Sequence, residues 1–196
     1  RVGLSWGATI GRFVETVHLD PAERDLELLP LVGGMAALDT GPDGTSSLLT
    51  LARKCGAVAS RLDAPAVVES SVTAAAIRRE SVIATALERA AEVDTAFLGI
   101  GSVGVGASSR VLQAMRLTRE ELQQVEAARP AGDMCGRFVD DAGVPLGPPS
   151  SERVIGVSLE QLRRIPEVVA MAAGAEKVRG VVAALRSGVV NTVVLD

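Results

Sequence analysis

Short runs of Val, Ile and Leu alternate with amphipathic helical patterns along almost the whole chain, and this alternation is what most limits its fold. Strands that return parallel through crossover helices are covered on both faces, so they read as continuous apolar stretches rather than as an in-out alternation. Such runs predict strands at 2–6 (VGLSW), 27–33 (ELLPLVG), 64–70 (APAVVES), 95–101 (TAFLGIG), 154–157 (VIGV), 167–173 (EVVAMAA) and 190–195 (VNTVVL). Between them, Ile10, Phe13, Val14 and Val17 share one face of a first helix, and Ile77, Val82, Ala86, Leu87 and Ala90 fit a long third one. Val178, Val181, Val182 and Leu185 predict the packed stripe of a last helix that ends at Gly188. Thr118-Arg-Glu-Glu121 and Ser158-Leu-Glu-Gln161 read as capping boxes. The stretch 132–147 (GDMCGRFVDDAGVPLG) interrupts the scheme and predicts an antiparallel excursion turning near Asp141, while 39–47 (DTGPDGTSS) reads as a loop before a helix. The expected fold is α/β: a Rossmann-like, mostly parallel sheet with helices on both faces and a small antiparallel excursion.

Composition removes several functions. The 196 residues suit one domain spanning 1–196, and no apolar run approaches the length of a membrane span. With 20 basic against 24 acidic residues and no basic block, a nucleic-acid-binding surface is not expected within this piece. Cys55 and Cys135 are far apart and lack metal-ligand spacing, which fits a reducing cytoplasm and predicts neither a metal nor a cofactor site. A hydrolytic triad would have to use His18, the only histidine, which reads as a cap or surface residue at a helix end. The chain opens on Arg1 and enters a strand at once, as a piece of a longer protein would.

Ligands of parallel sheets gather beyond the carboxyl ends of the strands, where this chain places glycine-bearing junctions: SWGAT, VGG, GIGSVG, AGDMCG and AAGAEK. After Gly7, the amides of Ala8, Thr9 and Ile10 are the unpaired donors of a new helix, either an anion cradle or a turn that Thr9 simply caps. Lys177, expected in the first turn of the last helix, opposes the helix dipole unless an anion lies in front of it; its ordinary alternative is a solvated pair with Glu176. Asp133 is a candidate acceptor for ligand hydroxyls, or else a turn former bonded to nearby amides. Gly99 to Gly104 spell a GxGxxG, but the following VGASS does not predict a clear amphipathic helix, and Glu120 and Glu121 fall at a helix start, so a dinucleotide site is not expected.

The ordered set VGLSWGAT, LVGG, AFLGIGS, AGDMCGRFVDDAG and the final RVIGVSLEQL…NTVVLD resembles, end to end, the effector-binding domain of the SorC/DeoR-type bacterial sugar-responsive transcriptional regulators. The resemblance implies a fold shared with ribose-5-phosphate isomerase and glucosamine-6-phosphate deaminase, binding a phosphorylated sugar without turnover and with no catalytic residues. It implies Gly7, Ala8 and Thr9 as phosphate ligands, Gly33 and Gly34 lining the pocket, Lys177 reaching the phosphate and Asp133 facing the sugar. It further implies DNA contact only through an N-terminal helix-turn-helix domain absent from this chain, no membrane contact, and a homo-oligomer, dimer or tetramer. The alternative is a sugar-phosphate isomerase or deaminase of the same fold, with Asp133 or Glu69 carrying the proton and Lys177 anchoring the phosphate.

Overall fold

The computed structural model describes residues 1–18, 25–35, 44–104 and 106–196. In chain order its elements are β1 (Val2–Leu4), α1 (Ala8–Thr16), β2 (Glu27–Pro30), α2 (Gly44–Cys55), β3 (Val58–Ala59), α3 (Ser71–Arg79), α4 (Ser81–Ala91) and β4 (Thr95–Ser102). There follow α5 (Ala107–Ala114), α6 (Arg119–Ala127), β5 (Pro130–Met134), β6 (Arg137–Asp140), α7 (Leu159–Leu162), β7 (Glu167–Ala172), α8 (Val178–Arg186) and β8 (Thr192–Leu195).

The sheet forks at β4. Its first half joins a parallel series, β3-β2-β1-β4-β7-β8, in which Thr95–Phe97 align with Val2–Leu4 and Thr95–Gly99 with Glu167–Met171. Its last three residues leave that series and pair antiparallel with β5, setting Gly101 opposite Asp133, and β5 pairs antiparallel with β6. Alternate strand residues feed two cores. Leu4, Leu28 and Met171 pack under α1 and α2 with Ile10, Val14, Leu48 and Leu51, whereas Leu29, Ala96, Leu98, Val168 and Ala170 pack under α4, α5, α7 and α8. Helices therefore cover both faces, as the alternation predicts, and both capping boxes form.

Several elements differ from the sequence reading. Residues 154–157 and 64–70 are not strands but make isolated bridges, Val32 with Gly156 and Val67 with Val154. Much of the bonding on 151–157 comes from arginine side chains: Arg137 donates to the carbonyls of Ser151, Gly156 and Val157 at 2.9, 3.0 and 2.8 Å, and Arg78 to those of Glu152 and Val154. An apolar run whose carbonyls are served in this way reads as a strand in composition only. The long third helix is two, α3 and α4, separated by Glu80 in an extended conformation with ψ 127°. Gly44 to Ser47 begin α2 rather than closing a loop, and 39–43 lie outside the described residues. In α8 the buried face is Gly180, Val181, Ala183 and Ala184, while Val178, Val182 and Leu185 of the predicted stripe are 61, 38 and 50% exposed. Small residues win there because the helix lies too close to the sheet for larger ones.

Candidate functional site

At the first junction Gly7 has φ 126° and ψ 163°, a backbone region that side-chain-bearing residues avoid, and it turns β1 directly into α1. No side chain caps this helix, so Thr9 does not act as its cap. The Gly7 carbonyl accepts from Gly11 at 2.9 Å, but the amides of Ala8, Thr9 and Ile10 have no acceptor among the described residues. Three donors thus point out of the positive end of a nine-residue helix.

The antiparallel fork brings in the acceptor. Asp133 on β5 is 5% exposed and takes a hydrogen bond from the Ser108 hydroxyl at 2.5 Å and another from the Gly136 amide at 3.1 Å. Burial pushes its carboxyl above the usual range, against the pull of Ser108, Gly136 and the Lys177 ammonium. Gly101 makes this pair possible, since a Cβ there would fall 1.9 Å from Asp133 Oδ1 and 2.1 Å from Ser108 Oγ. The adjacent turn is completed by Cys135 and Gly136, both at positive φ. Burial and the neighbouring Asp133 push the Cys135 thiol up to about 12, so it stays protonated and is no nucleophile. The Arg137 charge and the nearby Ser5 hydroxyl pull the other way.

The last junction arrives through close glycine packing. A Cβ on Gly180 would sit 2.4 Å from the Gly101 carbonyl, and one on Gly132 would sit 2.5 Å from that oxygen and 2.8 Å from the Gly180 Cα. These contacts lay the start of α8 on β4 and β5. Lys177 is the N-cap residue of α8, at the end of a 3-10 turn over Ala175–Lys177, and not in the first α-helical turn as expected. Glu176 does not pair with it: both carboxylate oxygens fold back within 2.5 Å of where a Gly174 Cβ would be. Among the described residues Lys177 has no ion pair, and its charge reaches the Asp133 carboxyl.

The remaining candidates divide. The Gly34 Cβ direction is open, whereas a Cβ at Gly33 would lie 2.4 Å from the Ala64 carbonyl, so Gly33 permits a backbone crossing. Glu69 is exposed beside Arg116 at 3.9 Å, and His18 is exposed past the far end of α1. A helix, α5, does follow the GxGxxG, contrary to the reading of VGASS, but the chain then returns antiparallel through β5 and not through a parallel strand. The space beside Gly101 is filled by Asp133 and Ser108, so no pyrophosphate could approach there. Ser108 and Gly180 escaped the sequence reading because neither carries a motif, and Gly101 was visible only as a letter of the GxGxxG. No group of metal-ligating side chains, and no helix long and apolar enough to cross a membrane, occurs among the described residues.

Residues 1–196 match the family model described as "Putative sugar-binding domain". The sorbitol operon regulator of Klebsiella pneumoniae is 26% identical over 198 residues, covering all of this chain and 62% of the relative. The crystal structure of that organism's full-length sorbitol operon regulator SorC superposes with a TM-score of 0.89 at 25% identity, over 99% of this chain and 62% of that one. A DeoR family transcriptional regulator from Listeria monocytogenes gives a TM-score of 0.85 at 30% identity, over 99% of this chain and 75% of that one. The chain spans about three-fifths of the length of the curated regulators it matches from end to end. It belongs to the sugar-binding domain family of SorC- and DeoR-type transcriptional regulators.

Proposed function

We propose that this domain is the effector sensor of a sugar-responsive transcriptional regulator and that its effector is a phosphorylated sugar. The observation that carries the reading is the chemistry left free at the junctions: amides without acceptors at the start of α1, and an ammonium without an ion pair at the start of α8 that acts on a buried carboxyl. The free amides of Ala8, Thr9 and Ile10 and the unpaired Lys177 suit a phosphate, while Asp133, held by Ser108 and Gly136, keeps lone pairs for sugar hydroxyls. Gly7 and Gly34 leave room for close approach. Binding ties junctions from both ends of the chain together, which is how an effector shifts a population of arrangements. In the whole protein, operator DNA would be held by an N-terminal helix-turn-helix domain, in the cytoplasm, by a homo-oligomer. The fold kinship with ribose-5-phosphate isomerase and glucosamine-6-phosphate deaminase belongs to the same reading.

Binding without turnover is supported by the carboxylates themselves. Both oxygens of Asp133 are engaged by fixed donors, and Glu69 is solvated and paired with Arg116, so neither is poised to abstract a carbon-bound proton. A thermal-shift screen of phosphorylated against free sugars tests the proposal: a phosphorylated sugar should raise the melting temperature and its free counterpart should not. Accumulation of an isomerised or deaminated product would replace the sensor with the enzyme.

A further inference from the structure

We infer that the indole of Trp6 is a ligand-sensing donor of this site: its Nε1–H pairs with a phosphate oxygen when the anion occupies the start of α1. Trp6 is 7% exposed, and its Nε1 is fully buried with no hydrogen-bond partner among the described residues. An indole N–H left unpaired in a protein interior is costly, and tryptophans that are buried for packing alone usually place this group on an acceptor. Here the residue immediately precedes Gly7 and the three free amides of α1. Its pyrrole edge, which carries Nε1, is the edge turned to the start of α2: a Cβ on Gly44 would lie 3.0 Å from Trp6 Cβ and 3.3 Å from Cδ1. The unpaired donor therefore sits between the beginnings of two helices at the carboxyl edge of the sheet. An anionic oxygen is the acceptor such surroundings favour. Because Nε1 is out of solvent reach, the oxygen that meets it must arrive with a local movement of the surrounding chain, so the contact couples occupancy to conformation.

This inference rests on the phosphate reading above, and the experiment separates the two. Trp6 is the only tryptophan of the chain, so a nitrogen-15-labelled sample gives a single indole cross-peak that needs no assignment by mutation. Titration with inorganic phosphate and with ribose 5-phosphate should move that peak downfield and slow its exchange with water, in parallel with the amides of Ala8, Thr9 and Ile10. Trp6→Phe, which keeps an aromatic ring at this position and removes the donor, should weaken ribose 5-phosphate binding by calorimetry roughly tenfold. If the three amides respond and the indole stays put at saturation, the inference is overturned and the phosphate site stands. If neither responds to either probe, both fall.

Discussion

The start of α1 and the hairpin that carries Asp133 both meet the last residues of β4, and they are built in opposite ways. At the first, donors outnumber acceptors: three amides have no acceptor among the described residues, and the glycine before them opens onto free space. At the second, each oxygen of Asp133 is held by a fixed donor and the backbones approach so closely that three positions, Gly101, Gly132 and Gly180, have no room for a methyl group. On the proposed reading the contrast separates two tasks of a sensor: the open region would supply attraction for a charged group, strong but indifferent to the rest of the ligand, and the packed region a fixed acceptor whose position would discriminate among hydroxyl patterns.

Three substitutions would break or sharpen this contrast. The largest effect belongs to the packed region: Gly101→Ala pushes a methyl into the Asp133–Ser108 hydrogen bond and should cost about 3 kcal/mol of stability in urea unfolding. A near-neutral result would mean that the pair is loose and the contrast wrong. Next comes Lys177→Ala, which should leave unfolding unchanged and weaken phosphosugar binding by about 1.5 to 3 kcal/mol by calorimetry; unchanged affinity would return Lys177 to ordinary solvation. The smallest concerns pH. Since burial raises the folded pKa of Asp133 above its unfolded value, its protonated form favours folding, and that contribution is full in acid and fades as pH rises through the folded value. Asp133→Asn does not titrate, so its stability relative to the wild-type protein should improve from acid toward neutrality, whatever constant offset the lost Gly136 bond adds. A pH-independent difference would show that Asp133 is solvated.

The sequence disclosed the open region far better than the packed one. A glycine between an apolar strand and an amphipathic helix announces free amides by local geometry alone, and SWGAT could be read without knowing what surrounds it. Asp133 was visible as a carboxylate near glycines, but its partner Ser108 lies 25 residues earlier on another element, and no local pattern links them. The mostly parallel sheet with helices on both faces followed from alternation, whereas 154–157 was misread because guanidinium groups of Arg78 and Arg137 occupy carbonyls that a neighbouring strand would otherwise bond. Burial presses the Arg137 value down to about 10, with Arg78 acting in the same sense, a mark of how deep that side chain runs. In α8, periodicity found the apolar stripe but not which side faces inward. The close approach at Gly180 decides that, and closeness of backbones leaves no trace in hydropathy.

The fork in β4 works as a ruler held in two clamps. Its lower half is indexed against β1 and β7, and its upper half indexes β5, so the height of Asp133 above the sheet is measured from the same strand that fixes the parallel core. A slip by a single residue would turn every side chain of the strand to the wrong face in both halves at once. Remodelled loops around the rim could therefore change which sugar fits while the distance from core to carboxylate stays calibrated.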